Sequence, residues 1–220
     1  MKIEAFIEHT CLKPDTRLEE VEQVCREAIE YKISTICIPP LFVKKARALT
    51  SETNIKIATV AGFPFGYSAI EAKVAEIVLA IIDGADDLEM LINTGAVKNN
   101  DWQFLAGEIN TIMPIIRAKG KSITIIMETG LMTDQEIITA CDIYGAAGVD
   151  FLKTGTGFFE NDGLLENLLL IRKHLANPVQ IKTGSVIKNY NFAKDLIKAG
   201  ANLLCCNNSL MLLREAVQQN

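Results

Sequence analysis

Three short glycine-led turns recur along the chain and constrain what it can fold into: Gly84-Ala85-Asp86, Gly148-Val149-Asp150 and Gly200-Ala201-Asn202. Each stands between a segment of helical apolar spacing and a short apolar run. A glycine there ends a helix in the left-handed conformation that side chains disfavour, and the chain turns into a strand. The same alternation fills the rest of the sequence. Strand-like runs are read at 7–10, 35–38, 56–60, 87–92, 122–127, 150–153, 179–182 and 202–206. Helical segments are read at 18–31, 43–49, 69–82 and 102–118, with further helices from Thr133 and at the C-terminal end. Val21, Val24, Cys25 and Ala28 mark the inner face of the first. Thr133 and Glu136 form a capping box, and Pro114 is predicted to kink its helix. Eight βα units without a long linker predict an α/β chain folded as a single (β/α)8 TIM barrel over residues 1–220. An open doubly wound sheet is the alternative, but no GxGxxG opens a helix.

Composition narrows the function classes. Apolar residues make up 49% of the 220 and charged residues 22%, an ordinary globular balance. Basic residues number 22 and acidic residues 27, giving −5 with no basic block, so nucleic acid is not the expected partner. The apolar runs are too short to span a bilayer, and Met1-Lys2-Ile3-Glu4 carries no secretory pattern. The six cysteines (Cys11, Cys25, Cys37, Cys141, Cys205, Cys206) lack zinc spacing and read as buried thiols of a cytoplasmic protein. With only His9 and His174 available, no metal site is expected. A homodimer is the expected assembly for a soluble enzyme.

The chemistry concentrates where strands end, the face on which such barrels carry their sites. In Asp150-Phe151-Leu152-Lys153-Thr154-Gly155-Thr156-Gly157 a lysine closes an apolar strand before a glycine-rich turn. Val179-Gln180-Ile181-Lys182-Thr183-Gly184 repeats the arrangement. Burying an unpaired ammonium is strongly unfavourable, so such a lysine suits an amine that works partly deprotonated. The same mouth is predicted to receive His9-Thr10, Cys37, Gly62-Phe63-Pro64, Glu89, Asn93 and Glu128. Two lysines and two carboxylates converging there point to catalysis, and an interior salt-bridge network is the competing reading. Lys153 is read as a nucleophile that forms a Schiff base with an aldehyde or ketone, its pKa lowered by the Lys182 charge. Glu89, with Lys182 and water, is read as the proton carrier.

The whole chain resembles the deoxyribose-phosphate aldolase family of class I aldolases. The resemblance rests on Ile7-Glu8-His9-Thr10 with Leu12-Lys13-Pro14, Thr59-Val60-Ala61-Gly62-Phe63-Pro64-Phe65-Gly66 and Ile92-Asn93-Thr94-Gly95-Ala96. Glu128-Thr129-Gly130-Leu131 and Phe151-Leu152-Lys153-Thr154-Gly155-Thr156-Gly157-Phe158 continue it. It implies a (β/α)8 fold, reversible cleavage of 2-deoxyribose 5-phosphate to glyceraldehyde 3-phosphate and acetaldehyde, and no cofactor or metal. It also implies that Lys153 is the Schiff-base lysine and Lys182 its partner, with Thr154 beside the substrate.

Departures from the family pattern collect in two places. Glu89 stands where an aspartate is usual, and Gly155 where a serine is usual. At the phosphate cradle, Gly184-Ser185-Val186 replaces a stretch with paired glycines, and Asn207-Asn208 replaces two serines. Gly184, Ser185, Asn207 and Asn208 are accordingly the expected holders of a phosphate or of a neutral sugar tail. An aldolase with an unphosphorylated aldehyde substrate and a non-catalytic binding or regulatory protein are the alternatives. Lower-ranked residues are His9, read as orienting Glu89, meeting substrate or structural; Cys37, read as packed; and Lys73, read as solvent-facing or ion-paired. Phe158 and Phe159 are expected to wall the mouth or pack beneath it.

Overall fold

A computed structural model describes residues 2–184 and 187–219. Eight parallel strands close into a barrel in sequence order. They are β1 (Ile7–Thr10), β2 (Thr35–Ile38), β3 (Lys56–Ala61), β4 (Asp87–Leu91), β5 (Ser122–Ile126), β6 (Phe151–Lys153), β7 (Gln180–Gly184) and β8 (Leu203–Cys206). Around them lie α1 (Leu18–Glu30), α2 (Val43–Leu49), α3 (Ile70–Asp83), α4 (Thr94–Lys98), α5 (Trp102–Ala118), α6 (Asp134–Ala147), α7 (Leu164–His174), α8 (Tyr190–Lys198) and α9 (Ser209–Gln218). The main core lies between strands and helices, where Val21, Val24, Cys25 and Ala28 of α1 join Ile7 and Ile36 of the sheet. α5 carries Pro114 in its interior and continues to Ala118. The capping box at Thr133 forms as expected, with Glu136 accepting the Thr133 amide at 2.7 Å.

The glycine-led repeat has a physical basis at the N-terminal end of the barrel. Gly84, Gly148 and Gly200 take φ of 108°, 70° and 111°, ending or following α3, α6 and α8. Two residues on, Asp86, Asp150 and Asn202 each accept the amide of the preceding strand, at Ile57, Ile123 and Ile181. An arginine from a neighbouring helix completes two of these turns. Arg47 donates to the Gly84 carbonyl and to Asp86, and Arg117 to the Gly148 carbonyl and to Asp150. Each unit thereby satisfies a strand amide at the barrel floor, where an unpaired one would be costly.

Candidate active site

Strand alternation decides which side chains enter the barrel. Ile7 and His9 of β1 face the helices, and Glu8 between them faces inward. Asp87 and Glu89, two apart on β4, share the inner face. Lys153 and Lys182 are register partners on β6 and β7. These five charged side chains meet inside the barrel, none more than 4% exposed.

The two lysines are held differently. Lys182 Nζ donates to Glu8 Oε2 at 2.5 Å, Asp87 Oδ2 at 2.5 Å and Glu89 Oε1 at 2.8 Å. Its three N–H groups are thus matched by three carboxylates, and the Phe151 ring lies 4.9 Å away. Among the described residues Lys153 Nζ has one close acceptor, Glu89 Oε2 at 2.6 Å, with Glu8 Oε1 at 3.5 Å. Glu89 therefore bridges the two ammoniums, and Lys153 is the less restrained.

Three carboxyl groups face two lysine amines here, one acid more than there are bases, all out of water. Burial opposes the Lys153 ammonium, but Cys205, Glu89 and Glu8 outweigh it and hold its pKa well above the lysine range. Burial keeps Cys205 itself a thiol, so the carboxylates carry that effect. Lys182 is raised in the same way: burial opposes its charge, and Asp87, Glu8 and Glu89 override it. The net direction for Lys153 is therefore upward, where a lowered pKa is the expectation from sequence. Burial works against ionised Glu89 too, but Lys153 and Lys182 hold it far below the usual carboxylate range. Glu8 moves the other way, raised by burial and by the Glu89 charge. Its Oε1 receives no hydrogen bond among the described residues.

Other expectations are redistributed. Glu128 makes no hydrogen bond to either lysine among the described residues: its Oε2 accepts the Thr156 amide at 3.0 Å and hydroxyl at 2.5 Å, and burial raises its pKa against the opposing pull of the Thr156 bonds and the Lys153 charge. His9 does not reach Glu89 or the lumen cluster, because it faces outward, with Nε2 2.8 Å from Glu27 and Nδ1 2.9 Å from the Ser209 hydroxyl. Lys73 is fully buried, pairing with Glu108 at 2.7 Å and donating to the Leu91 carbonyl at 2.8 Å, which removes its solvent-facing reading. Cys37 is packed beside the cluster, its Sγ 3.6 Å from Glu89. The Thr154 hydroxyl accepts the Gly184 amide at 3.0 Å, tying β6 to β7. A Cβ on Gly184 would stand 1.7 Å from the Gly155 carbonyl oxygen, so only glycine permits that contact. Asn207 is exposed at the rim. Asn208 donates to the Ile187 carbonyl at 3.0 Å and occupies the N-cap of α9 without a side-chain capping bond. Ser185 and Val186 lie outside the described residues.

Sequence reading missed Glu8 and Asp87. A period-two reading of Ile7-Glu8-His9 and Asp87-Leu88-Glu89 finds both, because each carboxylate falls on the face opposite an outward neighbour. Glu8, Glu89 and Cys205 also place metal-ligating atoms within 4.8 Å of one another. Both carboxylates there already face lysine ammoniums.

Two cavities open at the mouth. One of 620 Å³ is lined by Thr10, Glu27, Thr156, Cys205 and Asn207, and one of 470 Å³ by Pro39, Leu41, Val60 and Phe63. Leu12, Lys13, Pro14 and Phe158 border both. The Phe158 ring stands edge-on to Phe63, centroids 5.5 Å apart, at the boundary between them.

Comparison with known proteins agrees with this architecture. Residues 3–209 match the family described as DeoC/LacD family aldolase. A deoxyribose-phosphate aldolase of Caldanaerobacter subterraneus subsp. tengcongensis is 36% identical over 220 residues, covering 100% of this chain and 95% of that protein. One from Thermococcus gammatolerans is 36% identical over 218 residues, 98% of this chain and 97% of its own. The structure of the tetrameric deoxyribose phosphate aldolase from Aeropyrum pernix superposes with a TM-score of 0.89 at 23% identity. It covers 100% of this chain and 93% of that one, and shares the barrel fold.

Proposed function

This chain belongs to the DeoC/LacD family of aldolases, and we propose that it reversibly cleaves 2-deoxyribose 5-phosphate to glyceraldehyde 3-phosphate and acetaldehyde through an imine on Lys153. The observation that carries the reading is the unequal holding of the two lysines. Among the described residues Lys182 has every proton engaged by a carboxylate, whereas Lys153 has one close acceptor and a second carboxylate in reach.

Lys153 must first lose its proton. Glu8 is placed to take it, because its free Oε1 lies 3.5 Å away and its pKa is raised. The neutral amine adds to C1 of the substrate, and loss of water leaves an iminium. Glu89, 2.6 Å from the Lys153 nitrogen, stays an anion beside the iminium cation, whose charge disappears only as the enamine forms. It then accepts the proton of the C3 hydroxyl as the C2–C3 bond breaks, its electron pair passing into the enamine. Glyceraldehyde 3-phosphate departs; protonation at C2 and addition of water release acetaldehyde and restore Lys153. The iminium is the electron sink, so the scheme calls on no further group. Lys182 keeps the three carboxylates in place throughout.

The phosphate end is proposed for the β7–β8 side, beside Thr154, Gly184, Asn207 and Asn208, with the Ser185 expectation falling outside the described residues. A second reading, an unphosphorylated substrate tail, is favoured by Glu19, Glu20 and Glu27 outnumbering Lys13 and Arg26 around the larger cavity. Among the described residues no helix is long and apolar enough to cross a membrane. A homodimer remains the proposed assembly, with Leu79 and Ile82, 62% and 73% exposed on α3, as the face to substitute in a test of oligomeric state. A cytoplasmic location is supported by six free cysteines. Assaying release of acetaldehyde from 2-deoxyribose 5-phosphate tests the activity, with a Lys153→Met control. No release from the phosphate ester or from 2-deoxyribose rejects both substrate readings.

A further inference from the structure

We infer that Glu128 is a positioning residue that sets the mouth of the site, and that it is matched to the absence of a side chain at Gly155. Glu128 follows β5 and takes φ of 59°, a left-handed conformation that a non-glycine residue keeps where its surroundings enforce it. What enforces it is the loop after Lys153. Glu128 Oε2 takes both Thr156 donors, at 2.5 Å and 3.0 Å. The Thr156 hydroxyl oxygen in turn accepts the Phe158 amide at 3.0 Å. The neighbouring Thr129 amide donates to the Thr154 carbonyl at 2.7 Å, closing the same seam from the backbone. A connected path therefore runs from the Glu128 carboxylate through Thr156 to Phe158, the aromatic that borders both cavities and meets Phe63.

Gly155 supplies the space. A Cβ there would lie 2.5 Å from Glu128 Oε1, closer than atoms approach without displacement. Moving the carboxylate away would release Thr156, and moving the loop instead would shift Phe158. Glu128 makes no hydrogen bond to Lys153 or Lys182 among the described residues; the Lys153 charge reaches it only through space, and its bonded partner is the loop that carries Phe158.

This inference rests on the aldolase reading, and the test separates the two. Steady-state kinetics are compared for the unmodified chain, Glu128→Ala, Glu128→Gln, Gly155→Ser and the double variant Glu128→Ala/Gly155→Ser. Glu128→Ala and Gly155→Ser are each expected to raise KM about tenfold, with kcat within about threefold, because misplaced seating weakens binding more than chemistry. Glu128→Gln keeps a carbonyl acceptor for Thr156 and restores KM to within about threefold. The double variant is expected to be no worse than either single one, because both break the same contact. Additive losses, or a glutamine variant no better than alanine, overturn the inference. Amide exchange reads the contact without activity: Glu128→Ala should speed exchange of the Thr156 amide about tenfold or more. An unchanged Thr156 rate overturns the inference even if the chain cleaves no aldehyde. Failure of the aldolase reading shows separately, as absence of a reducible adduct on Lys153 in the unmodified protein.

Discussion

Two ionic networks begin at consecutive residues. Asp86, at the foot of β4, accepts the Ile57 amide and is flanked by Arg47 and Lys121, all three side chains partly open to solvent. Asp87, the next residue, points into the lumen and shares Lys182 with Glu8 and Glu89 where water does not reach. The floor network has more cation than anion around Asp86 and satisfies backbone groups, which is what a structural ion pair does. The lumen network has more carboxyl groups than lysine amines, and a buried arrangement of that kind is a poor source of stability. On the proposed function its value lies in proton movement, since a surplus carboxylate is what a protonated lysine needs before it can attack a carbonyl. Burial, charge balance and backbone partners, more than the presence of ion pairs, separate the reactive end of this barrel from its foundation.

The largest effect expected from breaking that contrast lies in the lumen. Lys153→Met should lower kcat by roughly 10⁴- to 10⁶-fold with the fold retained, read by circular dichroism alongside the cleavage assay. Glu8→Gln should lower kcat/KM about 10²- to 10³-fold, the scale of a lost proton acceptor. A pH profile sharpens the assignment. Burial and Glu89 raise Glu8, and its ionised form is the working one, so activity falls as pH drops through a value above the usual 4.5. Glu8→Gln should abolish that acid limb, and a limb that persists removes Glu8 from the role.

Floor substitutions should invert the pattern. Asp86→Ala leaves the Ile57 amide without its side-chain acceptor and should cost about 1–3 kcal/mol in urea unfolding, with kcat unchanged. Burial alone would raise Asp86, but the Ile57 amide, Lys121 and Arg47 lower it below 3.8. A depressed carboxylate stabilises the fold above its unfolded value, so this contribution is complete above pH 3.8 and fades as pH falls through the lower folded value. Asp86→Ala should erase that part of the acid dependence. The smallest effect belongs to the exposed Lys45–Glu22 pair, 3.5 Å apart. Lys45→Ala should change stability by no more than about 0.5 kcal/mol in the same unfolding experiment.

The floor was more legible in the sequence than the lumen, for a physical reason. A left-handed glycine and the aspartate two residues on are local signals, and Gly84, Gly148 and Gly200 announce their turns directly. Lys153, Lys182 and Glu89 were also readable, because a charge that closes or interrupts an apolar strand is conspicuous. Glu8 was hidden by its neighbour: in a short strand His9 draws attention, yet alternation turns it toward α1. Lys73 was hidden by its chemistry, although its spacing with Ile77 and Ala80 places it on the inner face of α3. Its partner Glu108 lies thirty-five residues away on α5, and no local pattern joins the two. The lysine pKa directions were beyond sequence reasoning because they depend on carboxylates of β1 and β4 meeting lysines of β6 and β7.

The assignment of Lys153 over Lys182 is tested most directly by trapping. The protein is incubated with 2-deoxyribose 5-phosphate, reduced with borohydride, digested and mapped by mass. One reduced adduct confined to the peptide containing Lys153, and absent from Lys153→Met, is the predicted result. An adduct on Lys182, or none with either the phosphate ester or acetaldehyde, contradicts the account.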